Sequence, residues 1–216
     1  MTSPKTPTPQ RLLADCHDLG ALLDDLRAES VFLVADATGH EASGASAILE
    51  PILRGRLAGR FEVLEPNPQW PRVLDCVVAF QNAKPGAVLA VGGGTAMDVA
   101  KLANWLAAQS AEPESILENP PEQPAPTPPV IAIPTTAGSG SEATHFAVVY
   151  RDGEKHSVAH ASLRPAAAIV DPALTANLPP NLSAHSGLDA LCQAVESIWS
   201  IHATEDSLAP AQEAFA

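Results

Sequence analysis

The residue pattern predicts an α/β protein built on a doubly wound, mostly parallel sheet, followed by the start of an all-helical domain. Three observations carry this prediction. The apolar runs VFLVA (31–35), AVLAV (87–91) and VIAIP (130–134) have the length and continuity of strands buried on both faces. Amphipathic helical patterns stand between them, giving β-α-β-α-β alternation. After Leu178 strand patterns cease and helical spacing takes over. The predicted division is therefore an α/β domain over 1–177 and the beginning of a helical domain over 178–216.

Each element has its own signal. Residues 1–10 are polar and proline-bearing and are expected to fray. Leu12, Leu13, Cys16, Leu19, Leu22, Leu23 and Leu26 recur at helical spacing and predict a helix over 10–26. Residues 42–59 read as a helix that Pro51 kinks or splits. FEVLEP (61–66) predicts a strand and Val73–Ala83 a helix. The prolines between Glu112 and Pro129 predict a long surface loop without helix. FAVVY-RDG-EKHSVA reads as a β-hairpin turning at Asp152-Gly153. Ala167–Val170 predicts one more strand, and SGLDALCQAVESIWSIHA a helix capped by Ser183 or Ser186. A last helix begins near Ser207, and the helical layer is not completed by Ala216, which predicts a C-terminally truncated chain.

The run AVLAVGGGTAMDVAKLANWLAA, 87–108, joins a strand to a helix through Gly92, Gly93 and Gly94. Glycine lets the backbone turn tightly and approach a ligand closely. The helix that follows aims unpaired N–H groups and a partial positive charge at the same point, the arrangement that holds a phosphate. PTTAGSGSE (134–142) is a second loop at a strand's carboxyl end, and two such loops predict one shared crevice. Asp36 ends the 31–36 strand, where an acidic residue either hydrogen-bonds a ribose hydroxyl or simply caps a helix.

Composition excludes other classes. A formal net charge of −13 argues against nucleic acid or an anionic membrane surface as partner. The three cysteines, Cys16, Cys76 and Cys192, are scattered and form no C-x-x-C pair, so a reduced cytoplasmic setting is expected. No apolar run reaches membrane-spanning length, and the first residues have no apolar signal core. An uncovered apolar face over 188–201 would favour self-association into a homo-oligomer.

GGGTAMDVAK resembles the GGGSxxDxAK phosphate loop of the iron-containing (group III) alcohol dehydrogenase family, and PTTAGSGSE resembles that family's PTTAGTGSE. Pro66-Asn67-Pro68, Lys155, Ile169-Val170-Asp171-Pro172 and LPPNLSAHSGLDAL fall in the family's order, so the resemblance covers about 30–200. It implies a Rossmann-like NAD(P)-binding domain and a helical metal domain, the architecture shared with dehydroquinate synthase. It further implies a nicotinamide-dependent oxidoreductase with Fe²⁺ or Zn²⁺. In that family Gly92, Gly93, Gly94 and Thr95 would cradle the pyrophosphate. Asn67, Asp98, Thr135, Thr136, Ser139 and Lys155 would also bind the cofactor. Asp36 would favour NAD over NADP by repelling a 2′-phosphate.

The metal pattern departs from the family. In the motif G-x-D-A-L-x-H, Asp189 matches the Asp and Gln193 stands where the His is expected. An amide oxygen is a weaker ligand than imidazole, and the family's remaining histidine ligands lie on later helices. His185 is the candidate proton donor beside Asp189. GSGSEATHFAVVY, KHSVAH and GLDALCQAVES resemble the branch that reduces phosphonoacetaldehyde to 2-hydroxyethylphosphonate. His145, His156 and His160 are the candidate contacts to a phosphonate. Two alternatives stay open, a general alcohol or polyol dehydrogenase of the same family and a non-catalytic cofactor-binding fragment.

Overall fold

The computed structural model describes residues 9–122 and 125–215. The fraying expected of residues 1–10 therefore falls, up to residue 8, outside the described residues. Six strands form one sheet: β1 (Arg11–Leu13), β2 (Val31–Asp36), β3 (Leu57–Val63), β4 (Ala87–Gly92), β5 (Val130–Pro134) and β8 (Ala167–Ile169). Their order is β1-β8-β5-β4-β2-β3, and every neighbouring pair is parallel. Strands β6 (Phe146–Arg151) and β7 (Glu154–Ala159) form the separate antiparallel hairpin, with Asp152 and Gly153 both at positive φ in the turn.

The apolar runs become central strands because helices cover both faces of the sheet. Phe32, Val34, Val88, Ala90, Val130 and Ala132 face α4 (Trp70–Ala83), α5 (Gly94–Ala107) and the hairpin. Leu33, Ala35, Leu89, Val91, Ile131 and Ile133 face α1 (Leu19–Asp25) and α3 (Ala45–Leu53). With side chains alternating between two cores, residues 31–35, 87–91 and 130–133 leave no position for a polar side chain.

Several boundaries differ from the sequence expectation. The helix predicted over 10–26 is divided. Residues 11–13 instead pair with the open edge of β8, the Arg11 N–H donating to the Ala166 carbonyl at 3.0 Å and the Val170 N–H to Leu13 at 2.8 Å. The Asp171 carboxylate takes the Cys16 N–H, fixing the break before α1. The 42–59 region splits at Gly44 (φ +81°), between α2 (Gly39–Ala42) and α3, and Pro51 stays inside α3. Its tail, Leu57–Gly59, belongs to β3, an edge strand that ends at Val63 rather than residue 66.

The proline-rich stretch contains α6 (Pro113–Glu118), with Pro113 in its first turn, where a missing N–H costs nothing. Helix α7 (Pro180–Trp199) starts the same way, at Pro180, without a serine cap. Ser183 and Ser186 lie within it, the Ser186 hydroxyl donating to the Leu182 carbonyl at 2.9 Å. Helix α8 (Glu205–Phe215) packs against α7. No helix among the described residues is long and apolar enough to cross a membrane.

Candidate functional site

The carboxyl ends of β2, β4 and β5 meet at Gly92. Its φ is +146°, and a Cβ there would stand 2.8 Å from the Cβ of Asp36 and 2.9 Å from that of Ala96. Only glycine fits between the end of β2 and the first turn of α5. Gly93 precedes α5 in extended backbone, and no side chain caps the helix, so its first N–H groups are open to an anion.

The second loop lies directly on this turn. The Thr135 N–H donates to the Gly92 carbonyl at 3.0 Å. A Cβ on Gly93 would be 3.2 Å from the Thr136 hydroxyl, and one on Gly94 3.1 Å from Ser139. On the other side, the Thr95 hydroxyl accepts the Asn67 N–H at 3.2 Å, with Asn67 at φ +65°. Asp36 accepts N–H groups from Thr38 at 2.9 Å and Gly39 at 2.6 Å through one carboxylate oxygen, Oδ1. The capping reading of Asp36 is thus realised, and Oδ2 accepts neither of these N–H groups.

These elements enclose a cleft of about 430 Å³. Asp36, Gly93, Gly94, Thr95, Thr135 and Thr136 line one side, and Leu178, Pro179 and Leu182 face them. The structure thus brings together most of the residues named from the two loops. A cradle that a Cβ would fill, open helix N–H groups, two threonine hydroxyls and a strand-end carboxylate fit a dinucleotide.

Other candidates lie elsewhere. Asp98 turns away from the cleft into the interior, where its carboxylate accepts the Ser141 hydroxyl at 2.6 Å and the Val148 N–H at 3.0 Å. Burial pushes the Asp98 carboxyl up, opposed by the Ser141 hydrogen bond and the Lys101 charge. Lys101, also buried, donates to the Ser141 carbonyl at 2.8 Å and to its hydroxyl at 2.9 Å. Its amine is brought down to about 8, chiefly by burial. The sequence signal for this arrangement was the spacing of Asp98 and Lys101, one helical turn apart. Ser141, the residue that completes it, was missed.

The basic cluster of the hairpin does not line the cleft. Lys155 is exposed opposite Tyr150 on β7. His145 is exposed with its ring 4.3 Å from that of Phe146, and His156 is half-buried opposite Val149. His160 has both ring nitrogens engaged by backbone, Nδ1 accepting the Ser162 N–H at 3.1 Å and Nε2 lying 3.0 Å from the Pro121 carbonyl oxygen. Its ring lies 5.3 Å from Trp105, so it is a structural cap rather than a group presented to a ligand.

His185, Asp189 and Gln193 follow one another at four-residue spacing on an exposed face of α7. The Gln193 amide donates to the Asp189 carboxylate at 3.0 Å. Helix α7 meets the second loop at Gly138, where a Cβ would run into the Ser186 backbone, and at Gly140, 3.8 Å from the Gln193 oxygen by the same construction. No group of three or more His, Cys, Asp or Glu side chains able to hold a metal occurs among the described residues. A carboxylate and an amide already bonded to each other do not by themselves fit Fe²⁺ or Zn²⁺.

Residues 11–172 match the family model described as iron-containing alcohol dehydrogenase. The probable alcohol dehydrogenase EutG of Salmonella typhimurium is 35% identical over 203 residues, covering 88% of this chain and 50% of that protein. Long-chain-alcohol dehydrogenase 1 of Geobacillus thermodenitrificans is 42% identical over 150 residues, 68% of this chain and 38% of that protein. Among solved structures, the sulfoacetaldehyde reductase of Bifidobacterium kashiwanohense in complex with NAD+ superposes with a TM-score of 0.81. It is 29% identical, over 93% of this chain and 54% of that one. The iron-containing alcohol dehydrogenase of Thermotoga maritima gives a TM-score of 0.85 at 27% identity, over 97% and 59%. The chain thus spans about half the length of the relatives it matches.

Proposed function

Because this chain belongs to the iron-containing alcohol dehydrogenase family, we propose that it supplies the nicotinamide-nucleotide site of an NAD(P)H-dependent reductase. The reaction is reduction of an aldehyde to a primary alcohol, phosphonoacetaldehyde to 2-hydroxyethylphosphonate being the substrate and product. The observation that carries this reading is the convergence of the Gly92–Thr95 turn, the Thr135–Ser139 loop and Asp36 on one cleft.

The residues divide the work by chemistry. The open N–H groups at the start of α5 and the Thr136 hydroxyl hold the pyrophosphate. Asp36 accepts a ribose hydroxyl and repels a 2′-phosphate, favouring NADH. When bound, a nicotinamide would supply hydride to the aldehyde carbon, and Leu178, Pro179 and Leu182, which line the cleft, would help to keep water from it. Asp189 and Gln193 are assigned to polar contact with the substrate, and His185 to delivery of the proton to the alkoxide oxygen. Asp189 and Gln193 also stand where the family's divalent metal is expected, and a metal there would need donors beyond these two.

A structural relative named for sulfoacetaldehyde, another two-carbon aldehyde with an acidic head group, supports an anionic substrate. The 42% identity to a long-chain-alcohol dehydrogenase supports a neutral one. Initial rates with NADH on the intact protein decide between them. Phosphonoacetaldehyde turned over with a larger kcat/KM than acetaldehyde or butanal supports the first reading. Equal or lower values assign the protein to neutral aldehydes. NADH binding without turnover of any of the three reduces the assignment to nucleotide binding.

A further inference from the structure

We propose that Asp98, Lys101 and Ser141 form a buried latch that holds the Thr135–Ser139 loop on the Gly93–Thr95 turn, and so sets the affinity for the nucleotide. The proposal rests on the nucleotide reading of the cleft. The three residues are positioning residues, since none of them lines it.

Desolvation makes this buried cluster costly to form. The Lys101 side chain is 0% exposed and that of Asp98 12%. Each ion loses hydration at such a site, a cost that only good geometry offsets. The two form an ion pair, but a long one, with Lys101 Nζ 3.8 Å from Asp98 Oδ1. Ser141 is inserted between them. Its hydroxyl accepts from Lys101 and donates to Asp98, while its carbonyl accepts a second Lys101 proton. The other Asp98 oxygen takes the Val148 N–H on β6. Two charges on α5 thus grip a loop residue and a hairpin strand at once.

Consider what the loop would do without this grip. Its first residue is tied to the sheet by the Thr135–Gly92 hydrogen bond. Its far end turns at Gly140 (φ +63°) and closes on Ser141. Between those anchors, Thr136 and Ser139 must stay within about 3 Å of where a Cβ on Gly93 or Gly94 would stand. Loosening the Ser141 anchor frees both side chains to move off the phosphate turn. A shift of about 1 Å is enough to weaken a site built from converging donors. The same loop meets the Ser186 backbone at Gly138, so the latch also fixes where α7 stands across the cleft.

The test uses three variants of the intact protein, Ser141→Ala, Ser141→Thr and Lys101→Met. Amide hydrogen exchange is followed over 135–151, and NADH affinity by fluorescence titration. In Ser141→Ala, exchange over 135–144 is expected to rise about tenfold while β2 and β4 stay protected. NADH Kd is expected to rise about tenfold, the worth of one hydrogen bond to a charged group, with kcat at saturating NADH changed by less than about threefold. Ser141→Thr, which keeps the hydroxyl, restores both. Lys101→Met gives the larger Kd change if it folds, and Ser141→Ala decides the matter if it does not.

Unchanged loop exchange in folded Ser141→Ala overturns the latch. Faster exchange with unchanged NADH affinity overturns its role in binding. A wild-type protein that binds no NADH overturns the nucleotide reading instead, and the exchange data still decide whether the latch holds the loop.

Discussion

The sheet region and the α7–α8 pair use similar residues to different ends. Leu89 in β4 is 0% exposed, while Leu188 in α7 is 58% exposed and Trp199 80%. The sheet has helices on both faces, so the apolar side chains of its central strands β2, β4 and β5 are covered. The two C-terminal helices cover each other, and the only buried residues they contribute are Ala194 and Ala211. The difference extends to the sites they carry. The cleft over β2, β4 and β5 is assembled from rigid strand ends and a tight turn. Asp189 and Gln193 sit on an exposed helix face, where among the described residues their side chains bond to each other. A site is as complete as the packing beneath it.

The largest expected effect comes from one substitution made in both regions. Leu89→Ala is expected to cost about 3–5 kcal/mol, and Leu188→Ala within about 0.5 kcal/mol, by urea denaturation. Equal costs would mean that the exposed face is covered in solution. Within the sheet region, Asp36→Ser is expected to move the NADPH/NADH ratio of kcat/KM about tenfold toward NADPH, near 1.4 kcal/mol. An unmoved ratio would leave Asp36 with its capping role alone.

A smaller effect concerns pH. The Lys101 amine lies near 8 in the folded chain against an ordinary 10.5, so between these values the unfolded state binds the extra proton. Stability from this residue therefore rises with pH across that window. Buried thiols act in the opposite sense, burial pushing Cys16 up to about 12 and Cys76 higher still. Comparing wild type with Lys101→Met removes their contribution. The wild type is expected to gain on the order of 1 kcal/mol on the variant between pH 7.5 and 10, measured by urea midpoints. No gain would mean that Lys101 keeps its proton through that range.

The smallest effect belongs to the exposed helix. Gln193→Ala removes one exposed hydrogen bond and is expected to change stability by less than about 0.5 kcal/mol. A loss of 2 kcal/mol or more, read from the same denaturation curves, would show that the Asp189–Gln193 pair is packed in solution.

Legibility in the sequence followed the same division. Strands β2, β4 and β5 were readable because burial on both faces demands an unbroken apolar run. Gly92 was readable because a strand-to-helix turn this tight admits few residue types. The β1 and β3 edges were not. Leu12 and Leu13 carry helical spacing, yet the open edge of β8 claimed them. The mostly exposed residues 57–60 show no apolar run at all. Pro113 was read as a breaker where it starts a helix. The histidines of the hairpin were grouped by nearness in the chain, which does not tell which way each ring turns or that His160 is held by Ser162 and Pro121.

By itself the sequence determined the parallel α/β layering, the two loops at adjacent strand ends and the family they resemble. Each of these depends on local periodicity or on residue types that few conformations allow. Only the tertiary structure decided the fate of Asp98 and Lys101. Their motif suggests a ligand, yet Ser141 and Val148, distant in the chain, reach them first. A buried charge takes whichever partner the fold brings within hydrogen-bond distance, and chain spacing alone does not name that partner.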